Sequence, residues 1–73
     1  MIRPSEVDER LDTGRVVEWQ SPAGHRIRWE RERDRIGWEG SPGLEDYKWL
    51  PDRPRDKRHA LRIACDTINR EEL

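Results

Sequence analysis

Three short stretches, Val16-Val17-Glu18-Trp19-Gln20, Arg26-Ile27-Arg28-Trp29-Glu30 and Arg35-Ile36-Gly37-Trp38-Glu39, decide the fold. In each an apolar residue is followed two positions later by tryptophan: Val17 and Trp19, Ile27 and Trp29, Ile36 and Trp38. A period of two is that of a strand with one buried face, and the alternation breaks step only between the stretches. Between the first two, Ser21-Pro22-Ala23-Gly24-His25 has the chemistry of a three-residue hairpin loop. Pro22 and Ala23 suit the two right-handed positions of a type I turn, and Gly24 suits the left-handed residue that closes it. Pairing Ser21 with His25 sets Trp19 opposite Ile27, Val17 opposite Trp29 and Glu18 opposite Arg28. A four-residue reversal, Arg31-Glu32-Arg33-Asp34, then sets Trp29 opposite Ile36, Ile27 opposite Trp38 and Arg26 opposite Glu39. The two registers agree, because a slip of one residue in either would place charge against indole.

Outward from this meander (residues 15–40), the signals differ in kind. In the N-terminal arm (residues 1–14), Ser5 and Asp8 form a capping-box pattern, Val7 and Leu11 lie one helical turn apart, and Gly14 stands as a stop, so a short helix or turn is expected. After the meander, Ser41-Pro42-Gly43 fits a type II turn. Within the loop or edge segment (residues 41–55), Tyr47 and Trp49 alternate as a fourth, edge strand would, while Leu44, Tyr47 and Leu50 recur at helical spacing; periodicity leaves both readings open. Pro51 and Pro54 make a stiff connector. Asp56 then caps a helix over residues 56–70, in which Leu61, Ala64, Cys65 and Ile68 form one apolar stripe that covers the tryptophan face. Ile63 falls on the opposite side, where with Ala60 and Leu73 it would extend an exposed apolar edge. The expectation is a single α+β domain: a small antiparallel meander of three strands, or four if the edge segment joins, with one C-terminal helix packed on one face and the other face in water.

Composition bounds what such a domain can do. The 73 residues lie close to the size at which one core becomes marginal, so every large side chain counts. Charged residues make up 42% and hydrophobic ones 32%, a balance that leans toward disorder, yet the net charge is only −1 and four tryptophans supply large burial per residue. Arginine outnumbers lysine thirteen to two while Phe is absent, as a GC-rich coding sequence would produce without selection for function. A phosphate-binding surface needs segregated positive charge, and the near-neutral balance counts against one. One cysteine, Cys65, forms no internal disulfide, and neither a leader pattern nor an apolar run of membrane length is present. The sequence therefore predicts a cytoplasmic protein with no membrane association.

No residue pattern carries recognisable chemistry. His25 sits in a turn, His59 in the first helical turn and Cys65 on the buried stripe, without the paired spacing of a metal site or the partners of a nucleophile. Gly37, Gly40 and Gly43 follow strand and turn needs rather than a phosphate loop. The outward face of the sheet, with Glu18, Arg26, Arg28, Glu30, Arg35 and Glu39, reads as a solvated, self-neutralised surface. No enzyme activity, metal or cofactor is expected.

What remains is a surface for partners. Tyr47, Trp49 and Leu50 follow the meander without an assured place in the core, beside Arg53, Arg55 and Arg58, and aromatic residues with arginine are the composition of binding hot spots. The leading expectation is a small non-enzymatic protein-binding module: an inhibitor or regulator that docks on a larger protein or ribonucleoprotein, of the kind encoded by phages and other mobile elements against host defence. The order of three strands and then a helix resembles, in layout, the small arm-binding modules at the front of some tyrosine recombinases and related plant DNA-binding domains. That resemblance implies the alternative, a DNA- or RNA-binding module using the strands or the basic connector, although the near-neutral charge departs from the basic character of those families. A homodimeric structural protein is the third reading.

Overall fold

A computed structural model describes residues 1–39 and 47–72 of the chain. Five antiparallel strands, β1 (Asp8–Asp12), β2 (Val16–Gln20), β3 (Arg26–Glu30), β4 (Arg35–Glu39) and β5 (Tyr47–Leu50), lie side by side in chain order, and one helix, α1 (Lys57–Glu72), crosses one face of the sheet. The α+β class is as the sequence predicts; the strand count is five rather than three or four, and the three-strand order shared with the recombinase modules is not the order found.

The central registers follow the alternation. Trp19 pairs with Ile27, Val17 with Trp29, Trp29 with Ile36, Ile27 with Trp38 and Arg26 with Glu39. The first hairpin closes at Ser21, whose N–H donates to the His25 carbonyl at 2.8 Å and whose Oγ accepts the His25 N–H at 3.0 Å, with Gly24 at φ +93°. In the second, Asp34 takes the left-handed conformation at φ +50°, which a short polar side chain tolerates. Trp19, Trp29 and Trp38 are buried together with Val17, Ile27 and Ile36 under Ala60, Ala64 and Ile68 of the helix. Asp56 caps α1 as expected, its Oδ1 accepting the His59 N–H at 2.8 Å.

Four expectations are corrected. In the N-terminal arm the short helix or turn is confined to Pro4–Glu6, a single 3₁₀ turn, and the spacing of Val7 and Leu11 is not helical, because Asp8–Asp12 form a strand. Gly14 is not a helix stop but the first central residue of the β1–β2 hairpin turn, at φ +84°, with Thr13 N–H donating to the Val16 carbonyl at 3.0 Å. Glycine before an ordinary residue suits the type II′ turn, whose twist matches that of paired strands. The helix buries a face turned toward Ala60, which is fully enclosed, and Ile63 packs against the core instead of facing water. On the outer face of the sheet, Glu30 and Glu39 are buried, not solvated. The Ser41–Gly43 turn and residues Leu44 and Leu73 lie outside the described residues.

The two ends of the chain are tied together. The Ile2 N–H donates to Asn69 Oδ1 at 2.7 Å and the Asn69 Nδ2 donates back to the Ile2 carbonyl at 2.9 Å. Lys57 at the start of α1 reaches Glu9 at 2.8 Å and Asp12 at 2.6 Å, fastening β1 to the helix. These contacts lower the Asp12 carboxyl below its usual range, chiefly through Lys57 and then the Gly14 N–H, and raise the Lys57 ammonium.

Candidate docking surface

Strand alternation puts Tyr47 and Trp49 on the outer face of the sheet and Lys48 and Leu50 on the inner one. The seat for Trp49 is provided by Gly37, its partner on β4. A Cβ built on Gly37 would come within 2.7 Å of the indole Cε3 and 3.1 Å of the Lys48 carbonyl oxygen, so only glycine lets the ring lie against the sheet. The rings of Tyr47 and Trp49 stack at 5.6 Å between centroids with 26° between planes. The Arg35 guanidinium caps the indole with its carbon 3.7 Å from the ring centroid, a close cation–π arrangement. Trp49 nonetheless remains 38% exposed, whereas the other three indoles are buried.

Beside this aromatic patch the charges run as an unbroken alternating ladder. Arg35 Nε bonds to Glu30, Arg28 bridges Glu30 at 3.1 Å and Glu18, and Arg26 lies 3.9 Å from Glu18 and 3.8 Å from Glu39. Burial alone would raise the Glu30 carboxyl, but the hydrogen bonds from Arg35 and Arg28 outweigh it and hold Glu30 below its usual range. Burial likewise works against the charge on Arg28, and its bonds to Glu30 and Glu18 overcome that, raising it further. Tyr47 has its phenol raised by burial and by the nearby Glu18. The guanidinium groups on this face therefore already hold carboxylates, and a phosphate would have to compete with them.

The six residues expected to meet a partner are divided by the structure. Tyr47 and Trp49 share the outer face. Leu50 turns inward and packs against the core. Arg53 is exposed and lies 3.7 Å from Asp34. Arg55 precedes α1 and Arg58 lies in its first turn, and with Asp56, His59 and Arg62 they line a cleft of about 140 Å³. The His59 Nδ1 there accepts the Arg55 N–H at 3.0 Å. Sequence reasoning missed Arg35 as part of the patch, and the signal that could have found it is Gly37 in mid-strand, which marks close approach of a neighbouring group.

His25 stands edge-on to Trp38 at 5.6 Å, and Cys65 is buried, its thiol pushed up to about 11 by burial, with Asp66 and Glu6 adding to the shift. Among the described residues no group of three or more His, Cys, Asp or Glu side chains is placed to hold a metal ion, and no helix is long and apolar enough to cross a membrane. Comparison with protein-family models, with curated proteins and with solved structures finds no match for this chain.

Proposed function

We propose that this chain is a small non-enzymatic protein-binding module, a regulator or inhibitor that docks on a larger protein or protein–nucleic-acid complex through Tyr47 and Trp49. The observation that carries the reading is the exposed indole of Trp49, seated on Gly37, stacked with Tyr47 and capped by Arg35. A rigid aromatic anchor with an adjoining guanidinium has the composition and pre-organisation of a binding hot spot. The paired ladder of Glu18, Arg28, Glu30 and Arg35 supplies charges of both signs that another protein surface can read.

The second reading, a nucleic-acid-binding module, is favoured by one feature. Arg55, Arg58 and Arg62 share a cleft and have no carboxylate partner among the described residues. Affinity capture on the full chain, followed by mass spectrometry across a salt series, separates the two. Docking through the aromatic patch predicts a protein retained by the wild type, lost with Trp49→Ala, and only weakly sensitive to salt. Recovery of nucleic acid whose retention falls steeply with ionic strength, and which is abolished by reversing Arg55 and Arg58, would replace the first reading with the second.

A further inference from the structure

Every open sheet has two edges whose backbone N–H and C=O groups invite pairing, and proteins ordinarily blunt them. Among the described residues the two edges differ in regularity. β1 carries a bulge between Glu9 and Leu11 and presents Asp8, Glu9, Arg10 and Asp12, so its ladder is kinked and lined with charge. β5 is a regular four-residue strand of sequence Tyr-Lys-Trp-Leu, paired with β4 on one side, and among the described residues no strand pairs with its other side. The edge is flanked on both faces by surfaces suited to side chains. On the outer face stand Tyr47 and Trp49; on the inner face a cleft of about 380 Å³ opens between Leu50, Pro51 and Asp52 on one wall and Thr67, Arg70 and Glu71 on the other.

We infer that β5 is a strand-addition site: the partner contributes an extended segment that pairs with the free edge of β5 and becomes the sixth strand. The inference rests on the protein-docking reading above and specifies its geometry. Main-chain hydrogen bonds to the open edge supply affinity, and alternate side chains of the added strand supply specificity. Those facing outward meet the Tyr47–Trp49 stack and are aromatic or aliphatic. The one facing inward beside Leu50 meets the cleft. Of the charged residues lining it, Glu71 is held by Lys48 at 3.3 Å and Asp52 lies on the strand side, while the Arg70 guanidinium has no carboxylate within ion-pair distance among the described residues. An acidic residue at that position completes the pairing.

A second copy of the chain fits this edge poorly. A two-fold pairing of β5 with itself centred on Lys48 sets two ammonium groups opposite each other. One centred on Trp49 sets Pro51, which has no N–H, opposite Tyr47. The occupant is therefore a segment of a different protein.

The test is selection of a displayed library of random ten-residue peptides on the full-length chain, followed by synthesis of enriched peptides with single backbone N-methyl groups. Strand addition predicts a pattern of apolar residues at alternate positions with an acidic residue between them. It also predicts a loss of affinity of tenfold or more when N-methyl falls on every second residue, with tolerance at the others. Arg70→Glu, a change at an exposed position that leaves the core untouched, should weaken the acidic peptides and enrich basic ones at the same position. Peptides that need Trp49 but tolerate N-methylation throughout would leave docking on the aromatic patch standing and overturn strand addition. Peptides that show the alternating dependence but are indifferent to Trp49→Ala would support strand addition and remove the aromatic anchor. Absence of any enriched peptide, or self-association of the chain through β5 seen in sedimentation, would overturn the inference.

Discussion

Asn69 and Ile2, 67 positions apart in the chain, close a ring of two hydrogen bonds in which one side-chain amide satisfies both backbone polar atoms of one residue. Asparagine is suited to this because its carbonyl accepts and its NH₂ donates in one plane. Asn69→Ala leaves the N–H and C=O of half-buried Ile2 without this partner and should cost about 1–3 kcal/mol in urea denaturation. Asn69→Asp keeps the acceptor for the Ile2 N–H but faces the carbonyl with a carboxylate oxygen, so at neutral pH it should recover little of that loss.

Gly37→Ala drives a methyl group into the Trp49 indole and the Lys48 carbonyl. Relief requires β5 to shift, and the expected cost is about 1–3 kcal/mol, the range for overpacking. Because the clash is with the ring, Gly37→Ala and Trp49→Ala should be strongly non-additive in a double-mutant cycle. Independent costs would show that the ring is not seated on Gly37.

Trp38 is fully buried at the centre of the core, and Trp38→Ala should cost about 3–5 kcal/mol. A domain of this length has a total stability on the order of 4–11 kcal/mol. The variant should therefore be partly or wholly unfolded at 37 °C, read by far-ultraviolet circular dichroism.

Glu30 sits below its usual carboxyl range because Arg35 and Arg28 hold its charged form. A folded-state pKa lowered below that of the unfolded chain contributes stability that is fully present above the ordinary carboxylate range and is lost as pH falls through the lowered value. The wild type should thus exceed Glu30→Gln in stability at pH 7. The gap should close on acidification, as measured by denaturation midpoints between pH 7 and pH 2.

Cys65 is buried with its thiol pushed up to about 11, so almost no thiolate exists at neutral pH. Iodoacetamide should leave the folded chain unmodified over hours at pH 7.5 and alkylate it promptly in denaturant. Rapid labelling of the folded chain would place the thiol at the surface.

Which parts of this structure can be read from the residues follows from where burial leaves a period. β2, β3 and β4 each bury one face, so Val17 and Trp19, Ile27 and Trp29, and Ile36 and Trp38 announce both strand and register. β1 buries no residue, and Asp8-Glu9-Arg10-Leu11-Asp12 has no alternation to read. Its bulge moves Leu11 to the outer face, where it is 43% exposed. Val7 and Leu11 consequently matched a helical spacing by coincidence, and the deciding signal was Gly14, whose two roles, helix stop and hairpin turn, look alike in sequence. The aromatic patch was half legible: Tyr47 and Trp49 stood out as unplaced aromatics, but Leu50 turns to the core. Arg35, two residues before Gly37 on the neighbouring strand, joins the patch only through cross-strand pairing.

The unequal setting of the four indoles gives the protein a built-in optical gauge. Three emit from a dry interior and should respond to little short of unfolding, while the fourth, on the rim at Trp49, still touches water. Any molecule that settles along that rim dries the fourth ring alone, and the emission should move toward the blue without a label being attached.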